Sequence, residues 1–397
     1  MRNSSLAYLY VMAVPYLAGL CFYTGSEVGG FHYTGYIWAA FSLIGLTVFF
    51  LEKLRPRFPD LLWLPWFGFV LLSLVWVETY KLRNLQTACH VVSPVVVGFV
   101  ASAAIQNERQ LRSLRRGFTH CLVILVLAVA ISQVTQPVGI YLRPMALTAC
   151  FVGCIYVASF RLTPYTSILG WAVCLGFAVL TGSRMATLAL LFLWIIYPYY
   201  RRRETRWLFA VAMAVLGVSL LFIPSFRSRF AEPEPGIVGQ IHPAEISSSG
   251  RFALWPLLWE KAKEKIVLGW GAGSSTDLVE LAWPGITEPH NDYLRIIFEQ
   301  GFVGLGIFLT AAVGQMALLR REIRRCDGEK KIGFVTAYLA LAVLLVVSFT
   351  ENTIVYGLWY MHPLFAVLGG AYGVRYAGRP SAQRPMLARF GLRAHAN

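Results

Sequence analysis

Charge is what this sequence has least of. Of 397 residues only 14% are Asp, Glu, Lys or Arg, against about 25% in a soluble protein. A chain this poor in charge, 57% hydrophobic and with a mean hydropathy of +0.59, belongs with polytopic membrane proteins. Acid is scarcer still, so the net charge is +15. That excess suggests nucleic acid until the charges are mapped. They fall in short loops between apolar runs, as the positive-inside rule describes, and no nucleic-acid partner is expected. A cysteine framework is missing too. Cys21, Cys89, Cys121, Cys150, Cys154 and Cys174 lie in apolar runs and Cys326 in a basic loop, so neither disulfides nor a metal site are expected. There is no Asp-x-Asp pair, no His/Cys/Asp cluster at ligand spacing, no P-loop and no Gly-x-Ser-x-Gly. Gly271-Ala272-Gly273 is too short for a dinucleotide fingerprint.

What is present is apolar length. Twelve spans of roughly 17–25 residues, the length a bilayer requires, are drawn near 6–24, 33–51, 61–79, 84–105, 117–135, 145–161, 166–181, 184–200, 206–224, 302–319, 332–350 and 357–375. The run from Leu6 lacks a strong basic region before it and leads into a second span, so a cleaved signal peptide is not expected. With the N-terminus inside, 24 of the 35 Lys and Arg fall on the inner side and 11 on the outer. Most of those 11 lie in one long loop, where the rule has little force. Both termini are therefore expected in the cytoplasm and the 225–300 loop outside. The expected fold is all-α and polytopic, with residues 1–224 forming nine spans, 225–301 an outer loop containing helices, 302–376 three more spans and 377–397 a basic tail.

The long loop is where polar chemistry gathers. Ala231–Ser249 is rich in Pro, Gly and Ser and reads as irregular. Arg251–Lys265 reads as an amphipathic helix with Phe252, Trp255, Leu258 and Trp259 on one face and Glu260, Lys261, Lys263 and Glu264 on the other; such a helix suits the membrane surface. Arg251 opens it after Ser247-Ser248-Ser249-Gly250, and Arg184 opens a span after Thr181-Gly182-Ser183, with Ser183 or Thr181 as the expected cap. Each place joins a helix N-terminus to a planar guanidinium. Both attract anions, and two of them on one face suit a diphosphate.

His290 is expected at the second position of a helix begun by Pro289, sharing a face with Leu294 and Ile297. Asp292, Arg295 and Glu299 lie at ion-pairing spacings on nearly the opposite face. As neutral imidazole, His290 could accept a proton from an attacking hydroxyl, or orient that hydroxyl. Asn291 could orient a sugar or cap the helix, and Lys81 and Arg83, in a short outer loop, could hold phosphate or anchor the chain. Glu27 and His32 lie in the first outer loop, His32 with no evident partner, Glu78 and Glu351 face outward near span ends and His242 lies in the irregular segment; His90, His120 and His362 fall inside spans and read as packed.

His290-Asn291-x-x-Leu294, followed by Glu299-x-Gly301-x-x-Gly304 leading into a span, resembles the signature of the O-antigen ligase and polymerase superfamily. Ser183-Arg184, and Ser249-Gly250-Arg251 ahead of a Trp-bearing helix and Leu268-Gly269-x-Gly271-x-Gly273, resemble it further. The resemblance covers roughly 180–305 by motif and the whole chain by topology. Ligase, Wzy-type polymerase and protein O-oligosaccharyltransferase share these elements. The ligase is favoured, because the chain has one dominant outer loop and lacks Arg-x10-Gly repeats: Arg251 is answered by Ala262, Arg229 by Gln240 and Arg227 by Val238.

The ligase resemblance implies a GT-C-like helical fold in the bacterial inner membrane with its site facing the periplasm. It implies inverting, metal-independent and cofactor-free transfer of a glycan from undecaprenyl pyrophosphate to lipid A–core oligosaccharide. His290, Arg184 and Arg251 would be catalytic, with Asn291, Lys81 and Arg83 also at the substrate. The competing class is a polysaccharide or lipid transporter, which should carry polar or interrupted helices near the midplane, often in repeated halves. Here the polar groups gather at one outer face and no repeat is visible.

Overall fold

The computed structural model describes residues 5–20, 27–28, 31–58, 62–78, 81–135, 142–198, 203–223, 227, 251–282, 288–357 and 359–377. The irregular segment Ala231–Ser249 with His242, and nearly all of the basic tail, lie outside the described residues. Apart from a hairpin of two-residue strands, Glu27–Val28 and Phe31–His32, the described chain is helical. We number the α-helices in order: α1 Ser5–Leu20, α2 Tyr33–Leu51, α3 Leu64–Leu72, α4 Leu82–Ala104, α5 Glu108–Thr135, α6 Leu142–Ser159 and α7 Pro164–Leu180. There follow α8 Arg184–Ile196, α9 Arg203–Leu220, α10 Arg251–Ala262, α11 Ser274–Ala282, α12 Asp292–Arg325, α13 Gly328–Val347 and α14 Met361–Tyr376.

A helix stands at each of the twelve positions drawn as spans. Three of them, α4, α12 and α13, are long and apolar enough to cross a membrane, and six apolar helices are shorter. The third expected span is broken into α3 and a 3-10 turn, Ser73–Trp76. There the Ser73 hydroxyl donates to the Val70 carbonyl at 2.7 Å, a local bond that competes with the helical ladder. The expected span 302–319 begins at a break in α12, at Gly301, and the helix runs on past it to Arg325.

The bundle closes around α4 and α14. A Cβ on Gly369 would run into the Gly98 carbonyl, and one on Gly373 into the carbonyls of Ile105 and Ser102. The small residues let the two backbones touch, the usual route to tight helix packing in lipid. One end carries the basic loops, where Arg112 and Arg115 pair with Glu329 and Arg375 with Glu322. At the other end α10 and α11 form a small separate core with α12: Leu254, Leu258, Ala262, Val279, Leu294 and Phe298.

The amphipathic helix is present over Arg251–Ala262 and continues as a 3-10 turn to Lys265; of its expected apolar face, Leu258 and Trp255 pack inward and Trp259 does not. Leu254 and Leu258 are buried, whereas Trp259 is 37% exposed, and the side chain of Phe252 lies outside the described residues. The side that meets α12 carries Leu254 and Leu258 together with Trp255. Its polar face matches expectation, with Lys261 paired to Glu264 and Lys263 to Glu260.

Candidate active site

The site is built on a broken helix. Within α12, Gly301 has φ 66° and ψ −171°, a conformation only glycine adopts at little cost. The break frees the carbonyls of Phe298 and Glu299 and the amides of Phe302 and Val303 from their helical partners. The 266–271 loop supplies replacements. Trp270 and Gly271 amides donate to the Phe298 and Glu299 carbonyls at 2.9 and 2.8 Å. Phe302 and Val303 donate to the Ile266 and Val267 carbonyls at 2.9 and 3.2 Å. All four groups are thereby satisfied.

The loop in turn is docked on the bundle. The Ala272 amide donates to Ser73 Oγ (3.1 Å) and Asn84 Nδ2 to the Ala272 carbonyl (2.9 Å). Gly271 has φ 93°, and a Cβ there would stand 2.7 Å from the Ser73 carbonyl oxygen. Gly269–Gly273 is thus a clasp around the Gly301 break. The neighbours of Gly301 complete the joint. Trp66 Nε1 donates to Gln300 Oε1 at 3.0 Å, and buried Glu299 accepts from Ser275 Oγ and from Arg295 Nε at 3.1 Å. Arg295 also pairs with Glu288. Burial pushes the Glu288 carboxyl up from its ordinary value, and the adjacent Arg295 guanidinium only partly offsets this. Asp292 does not pair with Arg295 as the spacing suggested. Its Oδ2 accepts from Ser348 Oγ (2.9 Å) and the Ile354 amide (3.1 Å), tying the start of α12 to the turn after α13.

Just before α12 lies His290. The helix begins later than expected: Asn291 is the N-cap, accepting from the Leu294 amide at 3.0 Å, and Pro289 stands outside. His290 is therefore in the preceding turn, not on a helical face with Leu294 and Ile297. Its φ is 52°, an uncommon left-handed backbone for a residue with a side chain. Strain of this kind persists where the surroundings over-determine it, and here Asn352 does so. Asn352 is fully buried, accepts from the His290 amide at 2.8 Å and places Nδ2 3.1 Å from His290 Nδ1.

Arg251 arrives from 39 positions earlier in the chain. Trp255, one helical turn on along α10, donates from Nε1 to the Pro289 carbonyl at 2.9 Å, which holds that face of α10 against the His290 turn. Glu351 then bridges the two: Oε1 is 3.7 Å from Arg251 Nη2 and Oε2 is 3.9 Å from His290 Nδ1. Both candidates thus meet one carboxylate that the sequence reading had placed only as an outward group near a span end.

Arg184 opens α8 after a turn through Gly182, and Cys150 Sγ donates to the Ala186 carbonyl at 3.2 Å. The expected caps do not form. Ser183 makes no side-chain cap bond, and Thr181 Oγ1 donates back to the Ala178 carbonyl. Lys81 and Arg83 face carboxylates of α11, Lys81 Nζ at 2.8 Å from Asp277 and Arg83 Nη1 at 2.5 Å from Glu280, and so fasten α11 to the start of α4.

An all-helical bundle of apolar helices, capped at one end by a clasped turn presenting arginine, histidine and glutamate, defines a membrane protein with a polar site at one face. Residues 169–309 match the family model described as O-antigen ligase. The match runs from α7 through Arg184, Arg251 and the His290 turn to the Gly301 break, so that this part of the chain is similar to the O-antigen ligase family. No curated protein matches the chain.

Sequence reasoning missed Asn352 and the role of Glu351. The available signal was the polar Glu351-Asn352-Thr353 wedged between two apolar spans.

Proposed function

We propose that this protein is an O-antigen ligase of the bacterial inner membrane. On this reading it has twelve spans in a GT-C-like arrangement, both termini in the cytoplasm and its site at the periplasmic face. Residues 225–301 form the outer unit of the domain plan read from the sequence. The enzyme transfers a glycan from undecaprenyl pyrophosphate to a hydroxyl of lipid A–core, inverting the anomeric carbon. The observation that carries the reading is the meeting of Arg251 and His290 at Glu351, inside or beside the segment that matches the family.

The reaction needs charge stabilisation where the diphosphate leaves. Arg251 and Arg184 supply guanidinium groups suited to phosphate oxygens; losing one preorganised donor of this sort typically costs about 10²–10³ in rate. Lys81 and Arg83 add positive charge at the rim, shared with Asp277 and Glu280. Asn291 shapes the turn as a cap. The acceptor hydroxyl must also lose a proton, and His290 and Glu351 are the groups placed to handle it.

In a strain lacking its ligase, His290→Ala, Arg251→Ala and Arg184→Ala should each abolish the long-chain lipopolysaccharide ladder at normal protein level. Arg251→Lys should impair it as well, since an ammonium cannot replace a bidentate fork. A full ladder with His290→Ala removes the catalytic assignment. A variant that still caps lipid A–core with one repeat unit identifies a polymerase instead.

A further inference from the structure

Asn352 grips His290 at both its backbone and its ring. The His290 amide, 2.8 Å away, can only donate, so the Asn352 atom facing it is the carbonyl oxygen. The atom 3.1 Å from His290 Nδ1 is then the amide nitrogen, which also can only donate. Nδ1 must supply a lone pair, and the single proton of the neutral ring resides on Nε2. The rival arrangement puts a proton on Nδ1 facing Glu351 Oε2. That gap is 3.9 Å, beyond hydrogen-bond range, and it would set two donors against each other at Asn352.

We infer that Asn352 is a positioning residue that holds His290 as an Nε2–H donor, and that the Glu351 carboxylate, rather than His290, takes the proton of the attacking hydroxyl. This rests on the transfer reading above. The acceptor oxygen bonds to the anomeric carbon while the bond from that carbon to the phosphate oxygen breaks. The electron pair goes to the diphosphate, where His290 Nε2–H and the guanidinium groups meet the growing charge. The acceptor's proton passes to Glu351 and from there to water.

The test uses the full-length chain, labelled with ¹⁵N-histidine and purified in detergent. Long-range proton–nitrogen correlation separates protonated from bare ring nitrogens, and the His290 signals are those lost in His290→Gln. The wild-type ring should show Nε2 protonated and Nδ1 bare, with the order reversed in Asn352→Asp, whose carboxylate accepts from Nδ1–H. Asn352→Asp should slow transfer by about 10²-fold, and Glu351→Gln by about 10²-fold or more. A wild-type His290 protonated on Nδ1, or Glu351→Gln transferring at the wild-type rate, overturns the inference. Full transfer by His290→Gln would instead remove the transfer reading and leave the tautomer result standing.

Discussion

Single residues at this site depend on partners far away in the chain, and that decides which of them the sequence could reveal. Arg251 and His290 stand out because a guanidinium at a helix start and an imidazole beside a proline carry their chemistry locally. Asn352 does not, since its meaning comes from a contact 62 residues away. Lys81 and Arg83 read as phosphate ligands only while Asp277 and Glu280, some 196 and 197 positions on, are out of view. The Asp292–Arg295–Glu299 row was legible by spacing, yet only Arg295–Glu299 forms within it. The second carboxylate on Arg295 comes from Glu288. Because Arg295 is buried between two acids, Arg295→Ala strands both of them. The expected cost is about 3–5 kcal/mol, read as a fall in thermal midpoint of the detergent-solubilised protein. An unchanged midpoint would mean the acids are solvated and the network is not structural.

Elements were legible where the apolar period was long and illegible where tertiary bonds set the geometry. The helix positions follow from the apolar runs alone. The shift of the helix start from Pro289 to Asp292, behind an Asn291 cap, does not, because His290 is held by Asn352 at φ 52°, outside the helical region. The break in α12 falls at Gly301, where the expected span 302–319 begins, but the bonds that replace the helical ladder there were not legible. The glycines around Trp270 and at Gly301 make sense only together, as two strands of backbone exchanging bonds. Gly301→Ala should therefore be costly, since its φ is 66° and a Cβ would strike the Val267 carbonyl. A loss of about 1–3 kcal/mol is expected, with transfer falling alongside. Gly306→Ala, five positions on with nothing within 4 Å, is the control and should be neutral or stabilising by up to about 1 kcal/mol. Equal effects of the two in a thermal-shift series would contradict the clasp.

For the whole molecule, scarcity of charge announced the apolar helices, and the uneven spread of Lys and Arg is the ground for the proposed orientation. Which end of the bundle carries the site followed from neither alone, because it required α10, α11 and the α13–α14 turn to fold onto one face. A phosphatase reporter inserted within 231–249 should be active, as in the periplasm, and one inserted after Arg325 silent; the reverse pattern would place the site on the wrong side for a lipid-linked donor of this kind. The most direct measurement is a double-mutant cycle on the purified enzyme with carrier-linked glycan and lipid A–core. If Arg251 and His290 serve one transition state, Arg251→Ala with His290→Ala should be about as slow as the slower single variant, because the two losses overlap. Losses that multiply, or either single variant at full rate, would contradict a shared site.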